Sequence, residues 1–290
     1  MNELAVAVAK KDLADAARSK LLLTMVGLLV GFTLAIYAAF GLVADGTASE
    51  TLAWLALPIQ TILAIAALVV GYVAIVGERR SGRLKLLLGL PPTRGDVFVG
   101  KLVGRAAIVA AAVVPAFVLA GVGSLVLFGS LPIVEWAILA GATLLFGLTF
   151  VGLAVGVSGS VASRGRAMAI VVGLFATFVA LWELLVAGAY YLVHGTTPPV
   201  EAETWYLAVD GLNPIAAYAG IAAEAVDGEV WPLQFGYGLR EPEALAMSPA
   251  ERYPGDAPFY LQDWFGVIVL LAWLAVPVAI GYYRFQRADL

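Results

Sequence analysis

Gly77–Arg105, GERRSGRLKLLLGLPPTRGDVFVGKLVGR, is a basic stretch set between two apolar runs, each long enough to cross a bilayer. Its cations are Arg79, Arg80, Arg83, Lys85, Arg94, Lys101 and Arg105, against only Glu78 and Asp96. In the middle an apolar run, Leu84, Leu86, Leu87, Leu88 and Leu90, stops at Pro91-Pro92. A segment that only joined two spans would be short and polar. The spacing of Leu84, Leu87 and Leu88 is i, i+3, i+4, which puts the three on one helical face. The stretch therefore reads as a surface helix that docks onto a partner beside the membrane.

Working outward, 62% of residues are apolar, 13% are charged, and the mean hydropathy is +0.93. Soluble domains hold roughly 45–50% apolar and about 25% charged residues. A span needs about 20 mostly apolar residues. Six stretches qualify: Leu21–Val43, Leu52–Val76, Ala106–Phe128, Trp136–Val157, Ala167–Val193 and Phe265–Tyr283. Their runs are unbroken, which fits helices, since barrel strands alternate over about ten residues. Pro58, Pro115 and Pro277 inside them are tolerable where neighbouring helices re-satisfy freed carbonyls. The fold expected is an all-α polytopic membrane protein formed as a single transmembrane domain over residues 1–290.

Lys and Arg sort the ends, because positive loops stay cytoplasmic. Lys10, Lys11, Arg18 and Lys20 precede the first span, Arg164 and Arg166 follow the fourth, and Arg284 and Arg287 follow the sixth. The opposite side offers only Arg240 and Arg252 and is otherwise acidic. Both termini are expected in the cytoplasm of a plasma-membrane protein, with the long segment 194–264 outside. Residues 2–20 read as an amphipathic helix lying in the interface, with Val6, Ala9, Leu13, Ala16 and Ala17 on one face and Lys11, Asp15 and Arg18 opposite. A solvated leader helix is the plainer alternative. Its long polar lead is unlike a signal peptide. Outside, Asn213-Pro214 starts a short helix over Pro214–Val226, and Trp231–Asp263 reads as irregular loop.

Several motifs dissolve under their own chemistry. GDVFVGKL, residues 95–102, follows a phosphate-binding loop until Leu102, which lacks the hydroxyl that holds magnesium. No nucleotide site is expected in this chain. GVSG, residues 156–159, resembles the serine motif of intramembrane proteases, but the only histidine, His194, lies at the far end of the next span. The gap is roughly 40 Å, against the 3 Å that a nucleophile and its base require. With no cysteine, one histidine and scattered methionines, no disulfide, cluster or resident metal is expected. Glu183 is the charge deep in the hydrocarbon, and two readings stay open for it: a residue of the substrate path or gate, or a structural carboxylate with its partners satisfied.

Glu78, Gly82, the leucine run, Pro91, Arg94 and Gly100-Lys101 resemble the pattern E-x-x-x-G-[TS]-L-x-x-L-L-x-x-P-[VI]-S-R…G-K of ABC-2 type transporter permeases. Arg83 stands where the family has a small hydroxyl residue, and Pro92-Thr93 where a valine–serine pair is common. The resemblance spans the whole chain in topology and is greatest to the permeases of nitrous-oxide-reductase maturation systems. It implies that this segment bears the coupling helix for a separate cytoplasmic ATPase subunit, which would bind the ATP and magnesium. The docking residues implied are Glu78, Gly82, Arg83, Leu84, Leu87, Leu88, Pro91, Arg94 and Lys101. A second permease copy or homologue is implied as well, with the lipid bilayer as the remaining partner and no nucleic acid. An ATP-independent secondary transporter and a structural or sensory membrane protein remain the alternatives; the former should show paired intramembrane charges or broken helices.

Overall fold

The structure, a computed structural model, describes residues 3–17, 20–44, 46–80, 93–226, 230–235, 239–245 and 247–288. Six helical stretches are long and apolar enough to cross a membrane, and no strand occurs among the described residues. A first helix, α1 (Glu3–Ala17), precedes α2 (Lys20–Leu42) and α3 (Ala48–Gly71). After a turn, α4 (Val76–Arg80) leads towards residues 81–92, and α5 (Arg94–Phe128) and α6 (Ile133–Ser160) follow. The fifth span is composite: α7 (Arg164–Ala176), a wide π turn (Thr177–Leu181) and α8 (Trp182–His194). Beyond it come α9 (Thr204–Gly211), α10 (Pro214–Ala225) and the last span, α11 (Gly266–Gln286).

The apolar runs locate the spans but not all their ends. α5 begins twelve residues before its apolar run, so Arg94–Arg105, read above as part of the docking stretch between two spans, is its first three turns. The start is set by a capping box in which the Thr93 hydroxyl accepts from the Asp96 N–H and the Asp96 carboxylate accepts from the Thr93 N–H. Thr47 and Glu50 start α3 in the same way. Asn213 caps α10 through the Ile215 N–H, with Pro214 at the first helical position as expected.

Helix α6 is the centre of the bundle. Of its apolar window 67% is buried, against 22% for α2, the fifth span and α11, and it packs on α3, α5, α7, α10 and α11. Small residues allow the closest approach. Gly156 of α6 sits so near the Pro277 carbonyl of α11 that a Cβ there has no room, and Gly281 meets Gly156 in the same manner. Where lipid replaces water, no hydrophobic force drives helices together, and such backbone-to-backbone packing carries the association. Pro115 and Pro277 lie within continuous helices, as does Pro58.

α1 packs along the first turns of α5. Its buried residues are Ala5, Val8, Ala9 and Asp12, a face rotated from the expected one, on which Val6 and Leu13 are half-buried. The reason lies on α5: Gly100 and Gly104, four apart, make a notch where Val8 and Asp12 come within 3 Å of where a Cβ would stand. The apolar period alone could not reveal that a carboxylate faces inward.

Candidate functional site

The described residues at the basic end converge on Lys101. It is 6% exposed, yet its ammonium lies 2.7 Å from Asp12 of α1 and 2.5 Å from Glu78 of α4. Arg105, one turn along α5, pairs with the same Asp12 at 2.8 Å and donates to the Val70 carbonyl of α3 at 3.2 Å. Four helices are thus tied by two cations and two carboxylates. Such a cluster is costly to bury and more costly to leave half-made, which favours one arrangement of these helices over alternatives.

Residues 81–92 leave from this cluster and return through Arg94. The Arg94 guanidinium donates to the carbonyls of Phe285, Gln286 and Ala288, closing the last turn of α11. The carbonyls at a helix C-terminus carry the negative end of the helix dipole, so a cation suits the position. On the other side, Ser158 of α6 accepts from the N–H groups of Ile75 and Val76 at 3.0 and 3.1 Å, bonding the turn that starts α4. Of the docking residues expected from sequence, Glu78, Arg94 and Lys101 therefore lie at the two roots of the segment. Gly82, Arg83, Leu84, Leu87, Leu88 and Pro91 lie outside the described residues. Asp12, Arg105 and Ser158 were not singled out for this cluster. The acid at 12, in register with the α5 glycines, is the signal that could have marked it.

The same geometry disposes of two motifs. Residues 95–102 are regular helix and Lys101 is held by carboxylates, so no phosphate-cradling loop forms there. Ser158 is engaged with backbone amides, whereas His194 stacks on Tyr190 at 4.2 Å and faces Glu203 at 3.4 Å.

The acidic end holds a second buried cluster, on the long segment between the fifth and sixth spans. Arg240 grips Asp210 of α9 with two hydrogen bonds of 2.7 and 2.8 Å, and its Nε lies 3.8 Å from Glu183 of α8. Burial works to lower the Arg240 pKa, but the Asp210 carboxylate, with Tyr206 and Glu183, outweighs it and holds the group above its ordinary value. Arg252, 1% exposed, donates to the carbonyls of Pro199 and Val200 and faces the Tyr206 ring. The two arginines of the acidic side are thus both internal. Glu183, 3% exposed, belongs to this cluster.

Between the cluster and the spans runs an irregular strap, 230–235. Gln60 of α3 is fully buried; its amide donates to the Trp231 carbonyl at 3.0 Å and accepts from the Leu233 N–H at 2.8 Å. Gln60 stands twelve residues into α3, about 18 Å from the helix start. The Phe235 N–H donates to the Val179 carbonyl in the π turn at 2.7 Å, and the Asn213 side chain donates to the Phe178 carbonyl beside it. Irregular backbone at this depth persists only where protein groups satisfy it. A cavity of about 360 Å³ opens behind the strap, lined by Trp231, Arg240, Asp210, Glu224, Glu251 and Asp263. The short helix expected at 214–226 is folded back onto the bundle here, against α3, α6 and α11.

Among the described residues five candidate spans pack around a sixth, the buried α6, and an ionic cluster roots the segment after the second. The profile of the ABC-2 family transporter proteins matches residues 6–290, and the chain belongs to that family. It is 30% identical to a "Probable ABC transporter permease protein NosY" of Stutzerimonas stutzeri, over 97% of both chains. A protein of the same description from Pseudomonas aeruginosa is 33% identical over 77% of this chain and 84% of its own length.

Proposed function

We propose that this chain is the plasma-membrane subunit of an exporter driven by a separate ATPase, which grips the segment between Glu78 and Arg94 and supplies the bound ATP and magnesium. One observation carries the reading: both roots of that segment are bonded to spans. Glu78 reaches α1 and α5 through Lys101. Ser158 holds the start of α4 against α6, and Arg94 holds the end of α11. A displacement of the segment is therefore delivered to four helices at once, which is what conversion of cytoplasmic ATP-driven motion into helix tilting needs. Glu78, Arg94 and Lys101 transmit the motion in this reading, and Gly82, Arg83, Leu84, Leu87, Leu88 and Pro91 make the contact. The basic end is cytoplasmic, with both termini. A second copy or homologue completes the pathway, covering part of the apolar surface that α2 and the fifth span leave exposed, such as Phe32, Leu34 and Leu185.

The test is ATP hydrolysis by the purified chain alone and by the complex that co-purifies with it from native membranes. Hydrolysis is expected only with the co-purified subunit, and a Leu87→Asp, Leu88→Asp double variant is expected to lose that subunit while remaining folded. Robust hydrolysis by the chain alone would overturn the assignment. Sidedness is read separately, by an impermeant thiol reagent on intact cells carrying Ser248→Cys or Thr93→Cys; labelling is expected at position 248 only.

A further inference from the structure

We infer that the strap 230–235 is a releasable latch on the outer half of the pathway, joining the second and fifth spans and letting go once per transport cycle. The inference rests on the transporter reading above and adds to it a gate whose parts are Gln60, the π turn and Arg240.

Three observations carry it. First, the strap's backbone is tied by hydrogen bonds, beside the packing of Val230, Trp231 and Leu233 against the core. Its hydrogen-bond anchors are the two bonds of Gln60 and the bond from Phe235 N–H to Val179, while the Phe235 side chain is 61% exposed. Trp231 adds an edge contact to Trp54 of α3 at 6.2 Å between ring centres. Hydrogen bonds exchange with water at small net cost, so they are the part of the hold that hydration can release.

Second, the fifth span has somewhere to go. In regular α-helix the carbonyls of Phe178 and Val179 accept from the N–H groups four residues on, those of Trp182 and Glu183. In the wide turn each instead accepts a donor from the long segment, Asn213 and Phe235 respectively. Tightening the turn returns those carbonyls to the helix and expels both donors. Single π turns inside α-helices occur mostly at functional sites. Glu183 sits two residues beyond the turn, so the same tightening turns its carboxylate relative to Arg240. Glu183 thus acts as a latch residue on the strap.

Third, release and wetting are one event. Gln60 is fully buried and both ends of its amide are engaged by the strap. A buried amide does not give up its partners unless water replaces them. The strap can leave only when the space beside α3 hydrates, and the cavity behind it, about 360 Å³ and walled on one side by Trp231, Pro232 and Gln234, is the nearest reservoir. A closed strap keeps that face dry and an open one makes it an aqueous exit.

The experiment uses the cysteine-free background in right-side-out native vesicles, with Val230→Cys as reporter and the exposed position Thr196→Cys as reference for full accessibility. Val230 is 6% exposed, so slow reaction with an impermeant thiol reagent is expected at rest. Vesicles loaded with Mg-ATP and vanadate are expected to raise the reporter's rate by about ten-fold, and Gln60→Leu to do so without nucleotide, the size that losing two net hydrogen bonds supplies. The vanadate arm leaves the latch intact, so it stands even where Gln60→Leu does not fold. Vesicles that trap nucleotide while the reporter's rate stays flat would make the strap a static brace and overturn the latch alone. Vesicles that trap no nucleotide with this chain would overturn the ATP-driven reading and the latch with it.

Discussion

The two ends of the bundle solve the same physical problem in opposite ways. At the basic end, Lys101 and Arg105 share Asp12, and every member of the cluster stands on a helix. At the acidic end, Arg240 and Arg252 stand on irregular backbone, and their partners are a helix carboxylate, Asp210, and bare carbonyls. A cluster on helices locks whole spans in register. One whose cations stand on irregular chain reaches a span, among the described ion pairs, only through Glu183, and leaves the spans beneath able to move when it opens. The comparison assigns rigidity to the lever at the basic end and mobility to the closure at the acidic end.

The largest effect should come from breaking the lever. Lys101→Met takes the Lys101 ammonium from both Glu78 and Asp12, and removing one partner of a buried pair costs about 3–5 kcal/mol. Detergent-solubilised protein should unfold several degrees lower as a whole, with one transition. Lys101→Arg, which keeps a cation between Asp12 and Glu78, should recover part of the loss. Two separated transitions, or no change in midpoint, would show that the cluster does not bind the helices into one unit.

Arg240→Gln should act differently. It removes a charged, two-pronged bond worth about 1.5–3 kcal/mol, but Arg252 remains 3.7 Å from Asp210 and the spans keep their own packing. Limited proteolysis should speed within residues 230–260 while the unfolding midpoint of the bundle hardly moves. A drop of the whole bundle's midpoint as large as that of Lys101→Met would erase the distinction between the two ends.

That distinction also tracks what the sequence discloses. Six spans, the cap at Asn213-Pro214 and the rooted segment 77–105 rest on local signals: apolar length, cap residues and charge. Asp12 escaped because a carboxylate among Lys10, Lys11 and Asp15 looks solvated until the Gly100–Gly104 notch is placed opposite it. Gln60 escaped because a lone amide in an apolar run carries no period, and its partners, Trp231 and Leu233, lie more than 170 residues away. The π turn at Thr177–Leu181 has no residue signature; it exists because Asn213 and Phe235 supply donors from elsewhere in the chain. Glu183 was legible as unusual, and its neighbour Arg240 was legible as scarce, but their pairing needed three dimensions.

The smallest effect sharpens the comparison most, because it separates stability from transmission. Ser158→Ala removes one hydroxyl that accepts from Ile75 and Val76, a loss of about 1 kcal/mol for a net hydrogen bond, and leaves the close α6–α11 contact at Gly156 untouched. The bundle should unfold within a few degrees of the parent. α4, however, loses the bond that fixes its start, and Glu78, two residues on, then meets Lys101 from a frayed turn. Amide exchange should quicken at residues 75–78 and stay unchanged along α6. In the complex with its ATPase, hydrolysis should continue while vanadate-induced labelling of Val230→Cys falls, since the push on the segment no longer reaches the spans in full. Labelling that survives Ser158→Ala undiminished would show that Lys101 and Arg94 carry the motion without the Ser158 bond, and the lever would then have two attachments in place of three.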